Sequence, residues 1–370
     1  MGENKHTLSD LYQMQSLPLS AKIRMTEYRI RQWYETFEGN VYVSFSGGKD
    51  STVLLDIARR LYPDIEAVFV NTGLEYPSVR KFALSKENVT ELRPDMNFRD
   101  VVIKYGYPII SKEVARDVFS ARRNPNGKTA DKFKTDGSFA KKYNGNFCLE
   151  KWSFLLNAPF MISNKCCNVM KKKAVKDYGK KTNKKPILAT MACESELRTK
   201  NWIVNGCNAF CCNEPISNPM SFWTENDILT YIHENNLEIA DAYGDVVIDT
   251  KGQVEGQLTI QELLGDYTDC KFCTTGCKRT GCIFCLFGIT QDLFRIYNLQ
   301  KQEPQLADYV LCGGEFGESG MWQPSAKGMG YWFVLDWLEM HGIYIPYTNV
   351  EHYRTTYGNE RTKELLKQAV

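Results

Sequence analysis

Val41-Tyr-Val-Ser-Phe-Ser46-Gly47-Gly48-Lys49-Asp50-Ser51-Thr52 is the stretch whose reading decides the fold of this chain. Val41 to Phe45 is a short β-branched and aromatic run of the kind that forms a buried strand. Ser46 to Thr52 then turns the chain, and from Thr52 to Leu61 apolar residues recur at helical spacing. A strand, a glycine-rich turn and a helix start together aim backbone N–H groups and a helix N-terminus at an anion. Gly47 and Gly48 allow close backbone approach, the hydroxyls of Ser46, Ser51 and Thr52 can donate to phosphate oxygens, and Lys49 adds a charge. Asp50 is out of place in a pure anion site and makes sense where a magnesium ion bridges it to phosphate. The bland alternative is an ordinary strand-to-helix turn. The spacing matches neither the longer phosphate loop ending Gly-Lys-Ser/Thr nor the dinucleotide fingerprint.

The chain has 370 residues, enough for one large domain with additions or for two domains. Its 46 basic and 44 acidic residues give a net charge of +2, so overall charge does not mark a polyanion binder. No apolar run is long enough to span a bilayer, and Met1-Gly-Glu-Asn-Lys-His lacks the apolar core of a signal peptide, so the expected location is cytoplasmic, away from the membrane. Thirteen cysteines in such a chain argue for metal or redox chemistry rather than a disulfide framework. The densest group is Cys270-x2-Cys273-x3-Cys277-x4-Cys282-x2-Cys285, five cysteines in sixteen residues. Four thiolates at tetrahedral distance suit either a structural zinc ion or a 4Fe–4S cluster.

Elsewhere the pattern is helical over residues 8–38, with a break at Pro18. Glu66 to Val70 reads as a second strand, ending in the polar turn Asn71-Thr72-Gly73. Residues 119–150 are turn-rich and basic and read as an exposed, mobile insertion. Lys165 to Lys185 holds nine lysines and one acid, which is either a solvated helix face or a surface for phosphate or nucleic acid. Thr224 and Asp227 have capping-box spacing at the start of a helix. The aromatic-rich tail, with Phe333, Trp337, Leu338 and His341 at helical spacing, reads as core or lid packing.

Ser-Gly-Gly-Lys-Asp-Ser after a hydrophobic strand resembles the pyrophosphate-binding (PP) loop of the adenine nucleotide α-hydrolase-like superfamily, and more narrowly the phosphoadenosine phosphosulfate (PAPS) reductase family. Asn71-Thr72-Gly73-Leu-Glu75-Tyr-Pro77 (with Asn for the family's usual Asp), Tyr105-Gly-Tyr-Pro108 with Ser111-Lys112, Glu194-Ser195 with Arg198, and Trp223-Thr-x-x-Asp227 extend the resemblance over roughly residues 20–290. It implies an α/β fold, a parallel sheet with helices on both faces, plus a cysteine-rich and helical C-terminal region. The chain divides on this reading into N-terminal helices (1–40), a nucleotide-binding domain (41–265, with the basic insertion 119–150), a cysteine-rich segment (266–290) and a helical end (291–370). The nucleotide contacts implied are Ser46, Gly47, Gly48, Lys49, Asp50, Ser51, Thr52, Asn71, Thr72, Gly73, Lys112 and Arg198.

Adenylylsulfate (APS) reductases of this family hold a 4Fe–4S cluster with a Cys-Cys pair and a later Cys-x2-Cys. Cys166, Cys167, Cys282 and Cys285 match that pattern in type and order. Cys270, Cys273 and Cys277 are extra, and with Cys207, Cys211 or Cys212 make up a zinc site or compete for the cluster. The family's C-terminal Glu-Cys-Gly-Leu-His is absent; Cys312 in Leu-Cys-Gly-Gly is the nearest candidate nucleophile. Two activities follow. The first is sulfonucleotide reduction: a cysteine attacks the sulfur of APS or PAPS, and a thioredoxin-like reductant releases sulfite. The second is an ATP pyrophosphatase with catalytic Lys49 and Asp50 and magnesium, which adenylylates and thiolates a nucleic-acid acceptor (tRNA or DNA) using a sulfur donor. A third class, a nucleotide- and metal-binding module without catalysis, has a simple mark: Lys49→Ala or Asp50→Ala would leave its work with a partner intact.

Overall fold

The computed structural model describes residues 5–144, 146, 148–210, 214–249, 270–289 and 292–367. The chain forms two compact units, one from Met1–Arg93 with Ala174–Cys282, the other from Pro94–Lys173 with Ile283–Val370. The nucleotide-binding domain expected over 41–265 is therefore interrupted, because the chain leaves the first unit at residue 94 and returns at 174.

The first unit is built on a six-stranded sheet. Its strands are β1 (Val41–Ser44), β2 (Ala67–Val70), β3 (Val89–Leu92), β5 (Lys185–Ile187), β6 (Asn208–Ala209) and β7 (Ile216–Ser217), β4 lying in the other unit. The order is β3-β2-β1-β5-β7-β6. Every pairing is parallel except the β6–β7 edge. The α/β architecture expected from the sequence is thus present, with one antiparallel edge strand. β1 lies at the centre because Val41, Tyr42 and Val43 are fully apolar and at most 2% exposed, which suits a strand covered on both faces. Its neighbours are β2 on one side and β5 on the other, so the strand order reverses at β1. In open α/β sheets the carboxyl end of the strand at such a reversal opens a crevice that takes ligands.

Helices α1 (Leu8–Gln15) and α2 (Leu19–Thr36) break at Pro18, as the sequence suggests, since a residue before proline is pushed out of the helical region. Ile30 and Trp33 bury the inner face of α2 completely. Lys22 on the same helix is 2% exposed, and its Nζ donates to both carboxylate oxygens of Asp227 at 2.8 and 2.7 Å. Asp227 also closes the expected capping box with Thr224 at the start of α10 (Glu225–Glu234). One carboxylate therefore caps one helix and anchors another.

The second unit holds β4 (Ile109–Ile110), paired in parallel with β10 (Leu286–Phe287). Its core is the helix Tyr331–Met340, whose first eight residues are all buried, so the aromatic tail packs as a core element. Most described residues of 119–150 are exposed or half-buried, as the sequence suggests, with two anchors into the second unit. Helix α6 runs over Lys112–Arg123, Phe133 is buried, and the Arg122 guanidinium donates to the carbonyls of Leu155, Leu156, Ala158 and Phe160. A guanidinium with five donors can gather backbone carbonyls without any acid partner.

Candidate functional site

Phe45 ends the β1 run and Gly48 caps α3 (Lys49–Leu61) from an extended conformation, with no side-chain cap. The helix thus starts three residues earlier than the apolar spacing suggests. Gly47 has φ +71°, and a Cβ there would stand 2.8 Å from the Val79 carbonyl oxygen, so this position needs glycine for both conformation and space. The loop is braced from within. Ser51 Oγ and Thr52 Oγ1 donate to the Gly48 carbonyl at 2.9 and 3.0 Å. Ser51 Oγ also accepts from the Ser46 amide at 3.2 Å and lies 3.0 Å from Ser46 Oγ. In this structure the Ser51 and Thr52 hydroxyls thus brace the shape of the loop.

Lys49 and Asp50 face a charged basin. The Lys49 ammonium is 3.3 Å from Glu225, 3.8 Å from Asp50 and 3.2 Å from the Lys278 carbonyl, and its side chain is 6% exposed. Burial pushes the Asp50 carboxyl above its ordinary range, with Lys49 opposing and Glu225 adding to the rise. Asp50 Oδ1 is buried and, among the described residues, has no hydrogen-bond partner. A buried carboxylate oxygen in that condition fits a cation ligand, so the chemistry of the donor suits the magnesium ion expected from the sequence.

Arg198 lies in the first turn of α9 (Glu196–Asn205), capped by Ser195. It ion-pairs with Glu194, which is the bland alternative for that motif, yet its charge also bears on Asp50. Burial, then the like charge of Arg279, lowers its own pKa. Asn71 and Thr72 shape the turn after β2. The Asn71 amide donates to Glu91 at 2.6 Å and its oxygen accepts from Gly73, while Thr72 donates to Glu75 from both its amide and hydroxyl. Lys112 belongs to the second unit, where it is exposed and bears on Cys167.

The sequence reading missed Cys193, Glu225, Tyr243, Lys278, Arg279 and Thr280. Cys193 is an exposed residue whose thiol contacts the Trp223 carbonyl at 3.5 Å. Burial around the sulfur, then Asp50 and Glu225, push its pKa up. Its only sequence signal was its place beside Glu194-Ser195. Lys278 and Arg279, between Cys277 and Cys282, were overshadowed by the cysteines.

Cys166 and Cys167 are hydrogen-bonded to each other. That bond, then the charges of Lys112, Lys171 and Lys172, brings the Cys167 thiol down to about 6. Cys312 is 5% exposed and its thiol donates to the Lys327 carbonyl at 3.0 Å. Burial, then Asp308, push its pKa up, away from a thiolate, with a hydrogen bond from Tyr357 opposing. Cys273 lies in the antiparallel ribbon of β8 (Val246–Ile248) and β9 (Phe272–Thr274). Among the described residues no three His, Cys, Asp or Glu side chains gather as a metal-binding group. Cys211 and Cys212 lie outside the described residues. In the lysine-rich run, Lys173, Lys176 and Lys184 pair with Asp95, Glu214 and Glu66, which favours the solvated-face reading.

The phosphoadenosine phosphosulfate reductase domain, as a family profile, matches residues 40–107, from the start of β1 past the turn after β2. That segment is similar to the PAPS reductase family. Two uncharacterized proteins of Methanocaldococcus jannaschii are 35% identical over 86 residues and 39% identical over 85. The matches cover 21% of this chain, and 21% and 18% of the two relatives, so the chain spans about a fifth of their length. A PAPS reductase from Candida auris, solved as a phosphate complex, is 12% identical with a TM-score of 0.34, covering 65% of this chain and 92% of that one. No described helix is long and apolar enough to cross a membrane.

Proposed function

We propose that this chain is a PP-loop enzyme that binds ATP and cleaves it at the α-phosphorus, passing the adenylyl group to an acceptor oxygen and releasing pyrophosphate. The observation that carries the reading is a buried ammonium, Lys49, 3.8 Å from a buried carboxylate oxygen, Asp50 Oδ1, that accepts no hydrogen bond among the described residues, at the start of α3. A triphosphate brings more negative charge than a single lysine neutralises, and a carboxylate beside it has a purpose where a cation is shared. Asp50 would hold magnesium, which supplies that further neutralisation when bound. The first-turn amides of α3 and the Lys49 ammonium would bind the leaving pyrophosphate, and Arg198 would add charge near Asp50. An adenylylated oxygen is a good leaving group, so substitution by a sulfur nucleophile is the chemistry this arrangement would support next.

The second reading is sulfonucleotide reduction, and one observation favours it: the charges of Asp50, Glu225 and Arg279 bear on the Cys193 thiol. Its raised pKa opposes that role, since the thiolate is the attacking species. The test is to incubate anaerobically purified protein separately with ATP and magnesium, APS and PAPS, and to separate the products. AMP and pyrophosphate from ATP, increased by a nucleic-acid acceptor, support the first reading. Sulfite from a sulfonucleotide with ATP untouched overturns it and makes Cys193 the next residue to replace.

A further inference from the structure

The cysteine-rich segment is seated on the phosphate loop itself. After β9 the chain straps onto the short turn Asp241–Tyr243: the amides of Gly276 and Cys277 donate to the carbonyls of Tyr243 and Ala242, each at 2.8 Å. A Cβ at Gly276 would stand 2.5 Å from the Ala242 carbonyl oxygen, so this close seat requires glycine. The turn in its place aims the Tyr243 hydroxyl at the loop. That hydroxyl accepts from the Lys49 amide at 3.3 Å and lies 2.5 Å from Thr280 Oγ1. It also stands 3.2 Å from where a Gly48 Cβ would be. Two residues before Thr280, the Lys278 carbonyl accepts from Lys49 Nζ at 3.2 Å. The Lys49 amide in the first turn of α3 and the Lys49 ammonium are the two donors that a phosphate at this loop needs most. In this structure both are held by the strap and its turn.

We propose that Phe272–Thr280 is a gate on the phosphate site: nucleotide phosphate takes over the two Lys49 donors from the Tyr243 hydroxyl and the Lys278 carbonyl, and the strap lifts. The inference rests on the reading of the loop as a phosphate site and adds to it a device that regulates entry. Because coupling between two sites is reciprocal, anything that seats the strap weakens nucleotide binding by the same factor as nucleotide unseats the strap. Cys273 and Cys277 ride on the strap, so a ligand or modification at those thiols acts on nucleotide affinity.

The test is calorimetric titration of the full chain and of Tyr243→Phe and Thr280→Val with ATP and magnesium, and with APS. Removing the hydroxyl that competes for the Lys49 amide tightens binding roughly two- to tenfold, the worth of one net hydrogen bond. Thr280→Val, which loosens the same hydroxyl pair, shifts affinity in the same direction. A second measurement does not depend on the variants folding: in the unaltered chain, amide hydrogen exchange over 272–280 quickens when the nucleotide that binds is added. Unchanged or weaker binding in both variants overturns the gate alone, as does unchanged or slower exchange. If neither nucleotide binds the unaltered chain, the loop reading fails and the gate with it.

Discussion

Gly47 and Gly73 have nearly the same backbone conformation, φ +71° and +72°, and different surroundings. A Cβ at Gly47 would meet the Val79 carbonyl oxygen at 2.8 Å, Val79 Cγ1 at 3.0 Å and Ala83 Cβ at 3.1 Å, whereas one at Gly73 would meet nothing within 4 Å. Alanine at either position bears the same left-handed cost, about 1–2 kcal/mol. At Gly47 the overlap with α4 (Pro77–Ser85) adds about 1–3 kcal/mol, because the obstacle is backbone and a short side chain that cannot rotate away. At about 2–4 °C per kcal/mol for a unit of this size, Gly73→Ala lowers the melting midpoint by about 2–8 °C, and Gly47→Ala by a further 2–12 °C or so. Calorimetric or circular-dichroism melts of the two variants side by side read the difference directly. Equal losses in the two variants would refute the argument that contact with α4 fixes the shape of the phosphate loop.

Three further outcomes follow from single groups. Lys22→Met leaves the Asp227 carboxylate part-buried without its ammonium, so chemical denaturation shows a loss of about 3–5 kcal/mol, and a loss under 1 kcal/mol would show that Asp227 is served well enough by the capping box. Asp50 has a folded pKa raised above its ordinary 3.8, so its protonation favours the fold: that stabilisation is complete below the unfolded pKa and lost as pH rises through the folded one. Asp50→Asn is therefore more stable than the unaltered chain at neutral pH, the gap closing below about pH 4, and a gap independent of pH would show that the carboxylate is compensated. In reduced, chelator-treated protein, iodoacetamide alkylates Cys167 with a midpoint near pH 6 and ahead of Cys312; peptide mapping that finds Cys312 first would reverse the assignment of the reactive thiol.

What the sequence made legible was local. The strand over Val41–Ser44, the break at Pro18 and the Thr224–Asp227 capping box each depend on residues a few places apart, and each forms where its pattern stands. The start of α3 was misjudged by three residues because Lys49, Asp50 and Ser51 carry no apolar periodicity; Ser51 and Thr52 bonding back to Gly48 are what let the helix begin there. In the exposed stretch 119–150, composition does not reveal that Arg122 gathers four carbonyls. The site divides in the same way. Its first half, Ser46 to Thr52, is contiguous and carries a readable motif. Its second half is Arg198, Glu225, Tyr243 and Thr280, contributed by chain that returns to this unit only after residue 174. Tyr243 and Thr280 stand 194 and 231 residues from Lys49, and no spacing rule links a hydroxyl to an amide over that distance. The glycines record the contact instead. Gly276 is crowded by the Ala242 carbonyl, Gly48 is approached by the Tyr243 hydroxyl, and Gly244 would meet Thr275 Oγ1 at 2.2 Å with a Cβ in place. Three glycines at one junction mark where the cysteine-rich strap and the phosphate loop press together, so the control of this site is read from what cannot be larger rather than from any residue that carries charge.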